Sequence, residues 1–299
     1  MIKRTIVLSN KAYLKKENEQ LVIQQGEESK TVPIEDIGIL ILESHQCTIT
    51  ESAISALMAN NTAVISCTAA HHPDGLMLPF AGNVLHTAVL RDQVAASIPL
   101  RKQLWQQTIK AKLSNQASVL KMLGTNAEPI EYWARKVRSG DPDNYEGRGA
   151  AHYWKLFFPP EYNFLREPEG LSPNSLLNYG YTIIRAAMAR AIVGSGLHPA
   201  IGLHHKNQYN PFCLADDLME PYRPFLDIIV RRLCIEHGRF IELTTAIKKE
   251  LLNILGVDTW IEEERKPLLL ALTSTAASLA KCYAKETKQM VYPIIHAPE

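Results

Sequence analysis

Near residue 85 the hydrophobic period of the chain changes from two to about 3.6, so no all-strand or all-helix fold can accommodate the whole sequence. Before that point, short runs rich in Val and Ile (T-I-V-L-S, Q-L-V-I-Q-Q, K-T-V-P-I, I-G-I-L-I-L) alternate with polar clusters such as K-K-E-N-E and G-E-E-S. Runs of that length, broken by turn formers, predict strands of a small antiparallel sheet. Thr50 is placed to cap a helix whose apolar stripe is Ile54, Leu57 and Met58. T-A-V-I-S-C and G-L-M-L-P-F follow as strands, the last ending near Leu78 because Pro79 has no amide hydrogen to give a ladder.

Beyond the switch, Val89, Leu90, Val94, Ile98, Leu104, Trp105, Ile109, Leu113, Val119 and Leu120 recur at helical steps. S-G-D-P-D-N-Y at 139–145 interrupts them with helix breakers and cap formers. The run from Asn174 to Gly194 predicts a helix stopped by Gly194, Gly196 and Pro199, and F-L-D-I-I-V-R-R-L-C-I and K-E-L-L-N-I-L continue the pattern. The expected fold class is α+β, with a small N-terminal β-strand domain over 1–84 and a larger, all-helical C-terminal catalytic domain over 85–299.

The length of 299 residues is enough for two cores, and 46% apolar with 21% charged residues excludes disordered and collagen-like chains. Five scattered cysteines without a C-x-x-C pair fit buried thiols in a reducing cytoplasm. The apolar run at the start is too short for a signal peptide and no later run is long enough to cross a bilayer, so a cytoplasmic protein without a membrane partner is expected. Net charge is only +1, yet Arg101, Lys102, Lys110, Lys112, Lys121, Arg135, Lys136 and Arg138 face only Glu128 and Glu131 in the same stretch. Such a local excess marks either a polyanion-binding face or an ordinary solvated helix.

The chemistry concentrates between His198 and Arg223, where His204, His205, Asp216, Asp217, Glu220 and Arg223 crowd a loop and the helix start after it. Carboxylates suit Mg²⁺ and Mn²⁺, and an imidazole tilts the preference toward Mn²⁺ or a softer metal, so this stretch reads as a divalent-metal site. On a helix beginning near Leu214, Asp217 and Glu220 share a face while Asp216 points away; Pro221 requires a kink or the end of one helix and the start of another. The plainer reading is a solvated helix face on which Glu220 pairs with Arg223. A second candidate is Glu146, in the first turn of a helix capped by Asn144, with Ala150, Tyr153 and Phe157 on its face. Gly147 and Gly149 give up helix propensity there, for the close approach of either a phosphate or a neighbouring helix. Cys213 has no second thiol nearby and reads as a core residue.

Three blocks, E-G-R-G-A-A-H-Y-W from Glu146, L-N-Y-G-Y-T-I-I-R from Leu177 and G-L-H-P-A-I-G-L-H-H-K-N-Q-Y-N-P-F-C-L-A-D-D-L-M-E-P-Y-R-P from Gly196, resemble the CRISPR adaptation integrases, the Cas-one endonuclease family. The likeness spans nearly the whole chain, and the form of the last block resembles members from type II loci. The resemblance implies a β domain followed by a helical domain. It also implies a Mg²⁺ or Mn²⁺ site made of Glu146, His205 and Glu220, which would carry catalysis. Other branches carry two aspartates in the last block; here Asp217 stands near the first and Glu220 replaces the second, so Asp217 is expected to orient His205 or a metal-bound water. Arg223 is expected beside it as a support for Glu220.

The implied reaction is metal-dependent joining of prespacer 3′-hydroxyl ends to the CRISPR repeat by direct transesterification, with endonuclease activity as the same chemistry. Implied partners are DNA, a second copy in a homodimer, the small companion adaptation protein (Cas-two) in a heterohexameric integration complex, and the type II RNA-guided nuclease machinery. Lys206, Arg148, Arg223, Arg231 and Arg232 join the basic stretch as candidates for phosphate contact. Two competing expectations are a metal-dependent phosphoesterase on small substrates and a catalytically inactive DNA-binding scaffold.

Overall fold

The computed structural model describes residues 3–69, 73–80, 82–167 and 170–296. Its N-terminal part contains β1 (Arg4–Leu8), β2 (Ala12–Glu17), β3 (Gln20–Gln25), β4 (Glu28–Pro33), β5 (Ile37–Leu42), β6 (Cys47–Ile49), α1 (Glu51–Ala59), β7 (Ala63–Cys67) and β8 (Pro73–Met77). These strands form two four-stranded sheets, ordered β1-β5-β7-β8 and β4-β3-β2-β6. The expected single antiparallel sheet is therefore corrected: β1, β5 and β7 run parallel, as do β2 and β6. The reason lies in I-G-I-L-I-L, which is buried along nearly its whole length as a central strand must be, and in α1, which carries the chain from one parallel strand to the next. Ile39 and Ile41 join the helical core, while Leu40 joins Leu14, Leu21 and Leu57 in a separate core between the sheets and α1. Thr50 caps α1 by accepting from the Ala53 amide.

The helical part comprises α2 (His86–Ala95), α3 (Ile98–Met122), α4 (Glu128–Lys136), α5 (Tyr145–Phe157), α6 (Asn174–Gly194), α7 (Cys213–Met219), α8 (Arg223–His237), α9 (Thr245–Leu252) and α10 (Leu268–Tyr283). One hairpin interrupts it, so it is mostly rather than wholly helical: β9 (Asp258–Ile261) pairs antiparallel with β10 (Glu264–Pro267). The turn residues Glu262 and Glu263 both have positive φ, at 53° and 62°, where Asn-Gly is the usual signal. Two four-residue strands joined by Glu-Glu carry no pattern that stands out from a helix end.

Helix α3 organises this half. Ser97 caps it, and its inward face carries Leu104, Trp105, Ile109, Leu113 and Leu120 together with buried polar residues Thr108, Lys112, Asn115 and Gln116. Asn115 donates to the carbonyls of Pro221 (2.8 Å) and Pro293 (3.0 Å) and accepts from the Ile295 amide (3.0 Å). A single amide thus joins α3 to the turn after α7 and to the C-terminal segment, with no buried polar atom of its own wasted. Pro221 ends α7, and a 3-10 turn over Glu220–Tyr222 leads into α8.

Helix α5 lies against α3 because residue 149 is glycine: a Cβ there would stand 2.2 Å from Leu113 Cδ2. An exposed helical Gly→Ala change ordinarily gains up to about 1 kcal/mol, but forced overpacking costs about 1–3 kcal/mol and should decide the sign here. Gly149→Ala is expected to lower stability in urea denaturation by roughly 1–2 kcal/mol; a variant as stable as the parent would contradict the close approach of these helices.

Candidate active site

The N-terminus of α5 is built so that the Glu146 carboxylate is released from capping duty. Asn144, in the left-handed region at φ 50°, accepts from the Gly147 amide (3.2 Å), and the Asp141 carboxylate accepts from the amides of Tyr145 and Glu146 (2.9 Å each). With these orphan donors satisfied, Glu146 turns to α3, where Lys112 Nζ donates to Glu146 Oε1 at 2.8 Å. The same ammonium lies 2.6 Å from Glu220 Oε2, and Arg223 Nε lies 2.8 Å from Glu220 Oε1. Arg223 stacks over the Tyr181 ring at 4.4 Å, and the hydroxyls of Tyr181 and Tyr153 donate to Asp227. The charged cluster therefore rests on a buried network spanning α5, α6 and α8.

His205 is set by the loop before α7. The fully buried Asp217 carboxylate accepts from the amides of Leu203 (2.6 Å), His204 (2.9 Å) and His205 (3.3 Å) and from His205 Nδ1 (2.5 Å). Gly202 permits the tight turn, since a Cβ there would meet the His205 carbonyl at 2.5 Å and Asp217 Oδ2 at 2.8 Å. Gln93 of α2 grips the loop upstream through the carbonyls of His198 (3.1 Å) and Ile201 (3.0 Å). Downstream, Arg185 pairs with Asp216 at 2.8 Å and donates to Asn210 at 2.7 Å. His204 stacks on Trp105 with ring centroids 4.5 Å apart, and His205 meets the same indole edge-on at 6.0 Å. In neutral His205 the proton sits on Nδ1 toward Asp217, which leaves the Nε2 lone pair for a ligand.

Burial acts on Glu220, Lys112 and His205, and their neighbours decide the outcome. For Glu220 burial pushes the pKa up, but the positive charges of Arg223 and Lys112 outweigh it and hold the carboxyl at about 2. For Lys112 burial favours the neutral amine, and Glu220 and Glu146 more than reverse this, so the ammonium stays charged. His205 is raised chiefly by its hydrogen bond to Asp217, against desolvation, with Glu220 and Glu146 adding smaller contributions.

The structure brings Glu146, Glu220 and Arg223 to one buried charge cluster, with His205 beside it near enough for both carboxylates to raise its pKa. Asp216 is turned away, as helical geometry requires, and Cys213 is buried. Among the described residues no three His, Cys, Asp or Glu side chains stand ready as a metal cage. The donor set still fits a hard dication: two carboxylates already converge on one cation, the Lys112 ammonium, through Glu146 Oε1 and Glu220 Oε2.

Lys112 belongs to this site rather than to a solvated basic face. Its helical phase was the available signal, because position 112 falls on the same inward stripe as Trp105, Thr108 and Asn115. Of the basic candidates, Arg148 and Lys206 are exposed, with the Arg148 guanidinium over the Trp133 and Tyr145 rings. Arg231 and Arg232 are engaged elsewhere: Arg231 donates to the Phe157 carbonyl (2.7 Å) and Arg232 pairs with Glu250 (3.0 Å). Phe157 lies at the far end of α5, about 16 Å along the helix from Glu146.

Residues 5–240 match the protein family described as CRISPR associated protein Cas1. The chain is 37% identical to the CRISPR-associated endonuclease Cas1 of Neisseria meningitidis serogroup C (strain 8013), over 98% of this chain and 96% of that one. Its fold is similar to that of a casposase bound to integration product, with a TM-score of 0.77 at 20% identity, covering 97% and 92% of the two chains. It is also similar to part of a chain in a Cas6-RT-Cas1–Cas2 complex, with a TM-score of 0.72 at 18% identity, covering 96% of this chain and 35% of that one. At such identities the two structural likenesses establish the fold.

Replacing Glu220 by Gln leaves Arg223 and Lys112 buried with half their countercharge, and is expected to destabilise the metal-free protein at neutral pH by roughly 3 kcal/mol. Because the folded carboxyl titrates near 2 and the ordinary value is 4.5, this contribution is fully present above 4.5 and is lost as pH falls through about 2. Urea denaturation of both proteins should therefore show a gap at pH 7 that narrows steadily below pH 4.5. A gap independent of pH would refute the charge pairing as its source.

Proposed function

The chain belongs to the Cas1 family of CRISPR-associated proteins, and on that premise we propose that it is a metal-dependent DNA endonuclease and integrase of CRISPR adaptation. Its reaction is the joining of prespacer 3′-hydroxyl ends to the CRISPR repeat by direct transesterification. The observation that carries this reading is the convergence of Glu146 and Glu220 on one cation position, with a carboxylate-oriented His205 within electrostatic reach of both. A Mg²⁺ or Mn²⁺ held there by these residues would supply Lewis-acid stabilisation of the charge on the attacking, non-bridging and leaving oxygens of the phosphodiester.

The chain's own residues prepare that position. Arg223 fixes Glu220 through Oε1 and leaves Oε2 directed at the cation position. Asp217 holds the His205 ring by Nδ1 and the loop backbone by the amides of Leu203, His204 and His205, so Nε2 is presented without loss of rotamer freedom on binding. Exposed Arg148 and Lys206, near Glu146 and His205 in the chain, are contacts for the phosphate backbone, which gives salt-sensitive, sequence-tolerant affinity. With water in place of the 3′-hydroxyl the same geometry performs strand cleavage. No covalent enzyme intermediate is required.

The partners in this reading are prespacer and repeat DNA, a second copy of the chain in a homodimer, and the small companion protein Cas2 in a heterohexameric integration complex. The type II RNA-guided nuclease machinery is a further associate. A fold shared with a chain of a Cas6-RT-Cas1–Cas2 complex supports the Cas2 assignment. Among the described residues no helix is long and apolar enough to cross a membrane.

An integration assay with purified protein, Cas2, a repeat-bearing supercoiled plasmid and a prespacer with free 3′-hydroxyls tests the proposal. Strand transfer should require Mn²⁺ or Mg²⁺ and vanish with Glu146→Gln, His205→Ala or Glu220→Gln, while duplex binding by the three variants stays within about three-fold of the parent. Transfer that survives Glu220→Gln or excess EDTA would leave a DNA-binding scaffold as the better reading. Asp217→Asn is expected to reduce transfer by about 10–100-fold, because the ring loses its charged orienting partner while Nε2 remains. Retention of full activity by that variant would remove Asp217 from the machinery.

A further inference from the structure

The position between Glu146 and Glu220 is filled by a side chain of the protein itself. Lys112 is buried, with its side chain 9% exposed, and its Nζ touches Glu146 Oε1 and Glu220 Oε2. Oε2 of Glu220 is the oxygen that Arg223 does not take, so the two basic residues are not equivalent. Arg223 braces the carboxylate from its other side and is compatible with a bound ion, whereas the ammonium occupies the contacts the ion needs. A dication and an ammonium cannot share a space this small, because like charges in a buried site repel strongly.

The lysine stem can resolve the conflict. Backbone and Cβ are fixed in the middle of α3, but four rotatable carbons allow Nζ to move once a new partner appears. The partner chemistry that would draw it is an anionic phosphate oxygen, and the reacting phosphodiester must approach this same position. Resting on the metal-site reading above, we propose that Lys112 is an internal competitor for the divalent cation, holding the Glu146–Glu220 position in the DNA-free protein and yielding it when DNA phosphate draws its ammonium away. Metal loading is thereby coupled to the arrival of DNA, and the DNA-free chain is kept from acting as an unrestrained nuclease.

The test is Mn²⁺ binding to the full-length protein, followed through the EPR signal of free Mn²⁺, with and without a prespacer duplex. The proteins are the parent, Lys112→Met, Lys112→Arg and, as a control for lost positive charge elsewhere on α3, Lys110→Met. Without DNA, Lys112→Met is expected to bind Mn²⁺ about ten-fold or more tightly than the parent, while Lys112→Arg and Lys110→Met stay within about two-fold of it. DNA should tighten Mn²⁺ binding by the parent and do so less for Lys112→Met. If Lys112→Met does not fold by circular dichroism, Lys112→Gln takes its place, since it retains a hydrogen-bond donor. A folded Met or Gln variant that binds Mn²⁺ no more tightly than the parent overturns the proposal and leaves the metal site intact. Absence of Mn²⁺ binding by every protein, with DNA or without, overturns the metal-site reading itself.

Discussion

A buried ammonium between two carboxylates dictates much of the architecture of the helical half. Removing these charges from water costs several kcal/mol per ion, and the cost is recovered only when the partners are held at contact distance. Lys112 must therefore come from the inward face of a helix, Glu146 from a helix start whose amides are already satisfied, and Glu220 from a turn that cannot slide. Each demand has its own device. Asn115, one helical step past Lys112, binds the Pro221 carbonyl, so α3 holds the Glu220 turn by charge and by hydrogen bond together. Gly149 brings α5 onto Leu113, and Asp141 and Asn144 take over the capping that Glu146 would otherwise provide.

A second set of buried polar contacts holds the loop that carries His205. Irregular backbone next to a charged site is stable only when its amides and carbonyls find partners. Asp217 of α7 and Gln93 of α2 supply them, while Arg185 of α6 and Asp216 of α7 hold the Asn210 side chain. The N-terminal sheets act at a distance. Ile39, Ile41 and Ile65 complete the helical core, while Arg190 of α6 donates to the Asn61 carbonyl and Lys248 of α9 forms a buried pair with Glu43. Two halves with different periodicity are thus joined by apolar packing and by charges that would be costly to separate.

Elements with a strong local signal were legible in the sequence. The helix over Asn174–Gly194 and the Thr50 cap follow directly from periodicity and side-chain chemistry, and so does the break at Pro221. Strand pairing was not, because a Val- and Ile-rich run reports burial rather than the direction of its neighbours; the two-sided burial of I-G-I-L-I-L was the hint of a parallel arrangement. The β9–β10 hairpin was hidden by its shortness and by glutamates at both positive-φ positions. In the candidate site the carboxylates and His205 stood out by residue type. Lys112 did not, because a lysine is read by habit as solvated, and only its phase on α3 places it inside.

The same habit inflates the basic stretch from Arg101 to Arg138 as a polyanion-binding surface. Arg101 donates to the Gln93 and Val94 carbonyls, Lys112 is buried in the site, Lys121 pairs with Glu131, and Arg138 pairs with Asp143. These uses differ in kind. Exposed pairs such as Arg138–Asp143 contribute little to stability and exchange readily for a phosphate, so they do not disqualify a residue from binding DNA. A buried ammonium changes partner only when an anion of comparable strength enters the same cavity. The residues that set general affinity for a polyanion and the residue that responds to a phosphate at the reacting position are therefore separable by burial alone, although along the sequence they form one run of positive charge.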